Sequence, residues 1–367
     1  MRGTGPGATM VRWRGGRWGI TAAPGAGRFL GVRPAPPEGT STARRRTASF
    51  RVMVDHSDSA AFRKLVTGAE SGILLFGITP PRLSADPERI REITAATLGR
   101  LAALDMDGLA LYDIDDESDR NPAERPFPYL PTMDPATYHA DYLDGWNRSA
   151  IIYRCVGKYA EAELRTWLQT ADSDRVHGVF VGASSKDKPA LTTLSEAQAL
   201  RRDVRPDLLL GGVAITERPE EHLRLIAKQE AGCAYFISQV VYNADAAKSM
   251  VSDYFYACRE RRLTPKPVLF TLSVCGSTKT LAFLEWLGVD VPRWLENSLR
   301  HADDTLAESY EQCMATARDL IAFCRKLGMP FGFLVESVSI RKAEIEASTA
   351  LADELSRLLE RGRPCAR

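Results

Sequence analysis

Residues 73–83 read ILLFGITPPRL. Apolar side chains run unbroken from Ile73 to Phe76, Gly77 interrupts them, and Pro80-Pro81 ends any strand. A short apolar run bounded by breakers predicts a strand buried on both faces. One such strand fits many folds, whereas a series of them separated by helices fits few.

The series is present. Strands are predicted at 72–78, 108–114, 150–156, 177–183, 208–215, 234–241, 267–274 and 332–338, all short and rich in Val, Ile and Leu. A short helix at 59–66 precedes them. Helical periodicity then follows each strand: 87–104, 134–146, 160–171, 194–204, 219–232, 244–263, a long region 278–327, and 340–361. Eight strand–helix units in about 300 residues predict an α/β fold, a (β/α)8 TIM barrel over 56–362 with a tail at 363–367. A doubly wound open sheet is the alternative. Its usual G-x-G-x-x-G mark is absent after the first strand.

In such a barrel the active face lies where the strands end. Polar residues gather there: Thr79, the run Asp113, Asp115, Asp116, Glu117 and Ser118, then Arg154 with Lys158, and Ser184-Ser185-Lys186. The later strands end in Thr216 with Glu217, in Gln239, Tyr242 and Asn243, in Ser273 with Cys275, and in Glu336. The acidic run 113–119 reads in three ways: a solvated turn capping a helix, a proton source with Asp113 or Asp116 foremost, or oxygen ligands for a divalent cation. Arg154 follows Ile151-Ile152 and needs a partner. That partner is an acid of the neighbouring strand end, or a glutamate tail or phosphate of a ligand. The stiff loop 125–135, with four prolines, reads as a lid or a packed surface loop.

Composition narrows the function. Residues 1–52 carry ten Arg against one acid, Glu38, a net +9, which leaves −8 on the rest of a chain whose total is +1. An acidic body argues against nucleic acid or a basic membrane surface as partner, and no apolar run is long enough to span a bilayer. Residues 1–55 are expected to be a disordered basic arm. A transit peptide, a nucleic-acid arm and an over-extended start with Met53 as the functional beginning all fit it, and the last is favoured. Seven cysteines with no C-x-x-C or zinc spacing read as reduced cytoplasmic thiols. The five His show neither a metal cluster nor a triad, so no metal is expected. Trp286, Trp294 and Tyr310 are expected in the core or at contacts of a homo-oligomer.

Several landmarks in order make residues 71–360 resemble the methylenetetrahydrofolate reductases. They are the strand Phe76 to Pro81, Gly212-Val213-Ala214, the stretch Gly232 to Gln239 reading GCAYFISQ, and Gly288 to Trp294. The resemblance implies a (β/α)8 oxidoreductase that passes hydride from NAD(P)H through FAD to a folate one-carbon unit, in which an acid protonates the carbon bridge as its ring opens. It implies folate contacts at Gln239, Tyr242, Arg154 and Thr79, and cofactor contacts at Ser118, Ser184, Ser185, Lys186 and Thr216.

This sequence departs from the family pattern at telling places. The family's proton-donating Glu follows the Phe of the first strand, where this chain has Gly77. The R-G-D ending of the fourth strand is Gly182-Ala183-Ser184, the Gly-rich loop after the second is acidic, and the third reads Tyr153-Arg154-Cys155-Val156. The catalytic acid is therefore expected from Asp113, Asp116 or Glu117. A folate-dependent one-carbon transferase and a silent folate-binding protein are the alternatives on the same barrel.

Overall fold

The computed structural model describes residues 60–117, 121–182 and 189–360. The basic arm, the C-terminal tail, and Ser118, Ser184, Ser185 and Lys186 lie outside the described residues. Eight parallel strands close a barrel in chain order: β1 (Ile73–Ile78), β2 (Gly108–Leu111), β3 (Ser149–Cys155), β4 (Val176–Val181), β5 (Leu210–Ala214), β6 (Cys233–Val240), β7 (Val268–Ser273) and β8 (Phe331–Glu336). The helices are α1 (Ala61–Thr67), α2 (Pro87–Leu101), α3 (Pro135–Tyr142), α4 (Glu161–Thr170), α5 (Leu194–Val204), α6 (Glu221–Glu230), α7 (Ala244–Glu260), α8 (Thr278–Trp286), α9 (Arg293–His301), α10 (Thr305–Leu327) and α11 (Lys342–Glu360). No described helix is long and apolar enough to cross a membrane.

Local chemistry sets the ends. Asp86 caps α2 ahead of Pro87 and Asp134 caps α3 ahead of Pro135, each carboxylate accepting backbone N–H groups of the first turn. The long helical region expected over 278–327 is three helices. Gly288 at φ +82° ends the first, Pro292 opens the second, and Asp304 caps the third.

Alternation along each strand divides the core in two. One set of side chains faces the helices. The other fills the barrel: Ile73, Leu75, Ala110, Ile151, Tyr153, Val179, Leu209, Tyr235, Ile237, Leu269 and Leu334. Helix α1 covers the N-terminal end, where Phe62 meets Tyr235 edge-on at 5.1 Å and His177 at 5.0 Å. Burial pushes His177 down to about 3, with Arg63 adding to the fall, so the ring is neutral. Among the described residues α1 closes the N-terminal end, and the strand C-termini form the opposite mouth.

Candidate functional site

The last inward-facing layer forms a bowl at those C-termini. Tyr112, Val181 and Val213 border the interior cluster and are half-exposed, while Tyr153 beneath them is buried. Glu336 is inward by alternation from Leu334, and Gln239 stands half-buried where the β6–β7 register shifts after Ile237. The floor is therefore aromatic and aliphatic, with one amide and one carboxyl.

Gly77 explains how this floor is assembled. A Cβ at position 77 would lie 2.9 Å from Cε2 of Tyr112 and 3.3 Å from Cβ of Glu336. The Tyr112 ring occupies the space a side chain on β1 would take. Gly77 and Glu336 are register partners on adjacent strands. The carboxyl absent from β1 is thus supplied by β8, one strand over.

Glu336 is 9 % exposed. Burial pushes its carboxyl up to about 7, and a hydrogen bond with the Tyr112 hydroxyl draws it back only in part. The same burial, reinforced by Glu336, holds the Tyr112 and Tyr153 hydroxyls far above the usual tyrosine range. Their rings are 4.7 Å apart. Near neutrality the bowl holds a carboxyl poised to give or take a proton, beside two hydroxyls that keep theirs. The Gln239 carboxamide is oriented by its Nε2, which donates to the Leu287 carbonyl at 3.0 Å; this leaves Oε1 as an acceptor.

The residues at the ends of β2 and β3 are brought together, but outside the bowl. Tyr153 points inward, so Arg154 points outward. Its guanidinium lies between the rings of Tyr159 and Trp167, at 4.7 and 4.9 Å, and pairs with Asp134. Asp113 accepts from Lys158 Nζ at 2.5 Å and from the Cys155 backbone N–H at 2.7 Å. The Tyr159 hydroxyl sits 2.9 Å from a carboxylate oxygen of both Asp113 and Asp134. Partial burial alone would raise Asp134, but Arg154, a helix N–H and Tyr159 outweigh it and hold the carboxyl below its usual range. This clamp ties the β2–α3 loop and the α3 N-terminus to β3. It also ends β2 early, because the Asp113 side chain takes the Cys155 N–H that a ladder carbonyl would accept.

The other expected site residues scatter. Asp116 is exposed and Glu117 half-exposed in the loop. Thr79 is exposed just past β1. Tyr242 is buried in the core behind β7, its hydroxyl donating to the Ser273 carbonyl at 2.8 Å. Thr216 donates to Glu217 at 2.6 Å, beside a separate cavity of about 260 Å³ that also borders Met250 and Asp253. Burial, with help from Asp290, raises Glu217. Among the described residues no cluster suits a metal ion. A flavin needs cations for its diphosphate. Arg154 and Lys158 are committed to carboxylates, Thr216 serves Glu217, and Asp115 and Glu117 would repel a phosphate at the β2 side of the mouth. Of the residues expected to hold a flavin, only Thr216 is described; Ser118, Ser184, Ser185 and Lys186 lie outside the described residues.

Fold and mouth together define a (β/α)8 barrel whose C-terminal mouth holds a protonatable buried carboxyl. No protein-family model matches the chain, and no curated protein matches it. Among solved structures, the chain is similar to an uncharacterized protein from Clostridium thermocellum that binds two copies of 5-methyl-5,6,7,8-tetrahydrofolic acid. Identity is 43 % over 81 % of this chain and 99 % of that one, with a TM-score of 0.73. The chain belongs to the family of that protein. More distant are oxaloacetate acetylhydrolase in complex with oxalate (14 % identity, 76 % of this chain and 80 % of that one, TM-score 0.41) and dihydropteroate synthase from Xanthomonas albilineans (12 %, 81 % and 95 %, TM-score 0.40).

Proposed function

We propose that this protein holds a reduced folate in the bowl and reduces its bridging one-carbon unit to a methyl group, with a reduced nicotinamide as hydride donor. The observation that carries it is the Glu336 carboxyl, raised to about 7 at the floor of the bowl and in register with Gly77. It stands in a chain 43 % identical to a protein that binds 5-methyltetrahydrofolate. Methylenetetrahydrofolate must open its five-membered ring before hydride can reach the bridging carbon. Opening leaves electron density on the departing nitrogen, and a proton delivered there by Glu336 stabilises the departure. Gln239 Oε1 accepts from the pteridine edge, and the Tyr112 and Tyr153 rings give it an apolar bed. The methylenetetrahydrofolate reductase resemblance supports the reaction, while the acid comes from a different strand.

The test is oxidation of NADH and NADPH by the purified protein with methylenetetrahydrofolate, followed alongside the flavin absorbance band. Nicotinamide oxidation without that band is the expected result. A copurifying flavin would restore FAD to the mechanism. Methyl transfer to an acceptor with no nicotinamide oxidation would make the protein a one-carbon transferase, and binding without turnover would make it a folate carrier.

A further inference from the structure

Arg125 sits in the stiff segment Arg125-Pro126-Phe127-Pro128-Tyr129 of the β2–α3 loop. Its guanidinium carbon lies 5.5 Å from the Tyr129 ring centre, 5.3 Å from Phe283 and 5.2 Å from Trp286. Phe283 and Trp286 are stacked on each other. Nε and Nη1 are buried and have no hydrogen-bond partner. A guanidinium carries five N–H donors and rarely enters a protein without an anion or carbonyls to meet them. Three aromatic faces stabilise the charge but do not replace those acceptors.

The surroundings are built to hold it. Trp286 Nε1 donates to the Ala123 carbonyl at 2.8 Å, and Asn121 Nδ2 donates to the Trp286 carbonyl at 3.2 Å, so loop and α8 are pinned together around the arginine. The next residue, Leu287, offers the carbonyl that orients Gln239 in the bowl. Cage and bowl therefore share one stretch of chain at the rim.

We propose that Arg125 is a carboxylate subsite that takes the glutamate tail of the bound folate. This rests on the folate assignment. With the pteridine in the bowl, the rest of the molecule must leave over the rim, as an aromatic aminobenzoate ending in glutamate carboxylates. The aromatic wall suits the first, and the planar guanidinium suits the second.

Titration calorimetry with 5-methyltetrahydrofolate and with 5-methyltetrahydropteroate, which lacks the glutamate, tests it on the full chain. The unsubstituted protein is expected to prefer the folate by roughly 10- to 100-fold, the range of a charge-assisted pair. Arg125→Gln should erase that preference and leave the pteroate affinity unchanged, and Arg125→Lys should keep part of it. If the Gln variant does not fold, the Lys variant decides. Equal loss for both ligands, or no loss for either, would overturn the subsite and leave folate binding standing. A loss confined to NADH or NADPH would assign the anion to a nucleotide phosphate, overturning the tail. No binding of either pterin by the unsubstituted protein would overturn the folate assignment and the subsite together.

Discussion

Strand β1 is flanked by β2 and β8, and an acid stands at the end of each neighbour. Asp113 follows β2 and Glu336 closes β8, yet the two carboxyls do opposite work. Asp113 lies against Lys158, Tyr159 and a backbone N–H, every one a donor to the charged form. Glu336 has an apolar bowl and a single hydroxyl, which leaves its neutral form favoured to about pH 7. Burial is similar in both. What differs is the number of donors, and strand parity decides that.

The largest expected effect is on Glu336. Glu336→Gln should lower kcat by about 10²- to 10⁴-fold while folate affinity is kept, the range for a lost general acid; a rate within threefold of the parent would sink its role. The same variant should be more stable than the parent at alkaline pH. The folded carboxyl titrates near 7 and an unfolded one near 4.5, so folding is fully favoured below 4.5 and loses stability as pH rises through 7. Gln cannot ionise, so the gain should grow across that window to about 3 kcal/mol at most. Chemical denaturation at pH 5 and pH 8.5 checks it.

Asp113→Asn should show the reverse profile. It removes the carboxylate that pairs with Lys158, while Tyr159 keeps Asp134, and should cost roughly 3 kcal/mol of stability, with kcat nearly unchanged when measured below the melting transition. A large rate loss at intact stability would return Asp113 to the chemistry. Tyr112→Phe is a finer probe. Its hydroxyl draws the Glu336 carboxyl down, so removal should move the alkaline limb of the pH–rate profile upward, with only a few-fold change in the maximum. Asp116→Asn, at an exposed loop position, should stay within about 0.5 kcal/mol and leave the rate alone.

The barrel was legible in the sequence because hydrophobic alternation with helices is a property of local stretches. Each of the eight strands falls within two or three residues of its expected place. The site was legible only as a list of strand ends. Arg154 and Asp113 stood out because charges beside apolar runs attract attention, but one residue along a strand reverses the direction of a side chain. Tyr153 inside the barrel obliges Arg154 to lie outside it. Glu336 was visible as the polar end of the eighth strand, without the neighbours that raise its carboxyl. Its raised proton affinity depends on β1, β2 and β3 meeting around it, and those contacts join residues more than 180 positions apart in sequence. Gln239 was placed by its landmark stretch, and the structure leaves it half-buried near the end of β6. Arg125 carried no motif, since its cage joins the β2–α3 loop to α8, and β2 and β7, which precede them, do not pair.

The absent side chain at position 77 has a consequence for how such a bowl can change over time. Tyr112 rests where a β1 side chain would stand, and Glu336 sits beside it. A mutation that placed a carboxylate at 77 would evict the tyrosine and set two acids side by side. Positions 77, 112 and 336 therefore share one small volume, and a change at one bears on the other two. Descendants should keep all three or replace all three, and chimeras that mix one position from each arrangement should be the inactive ones.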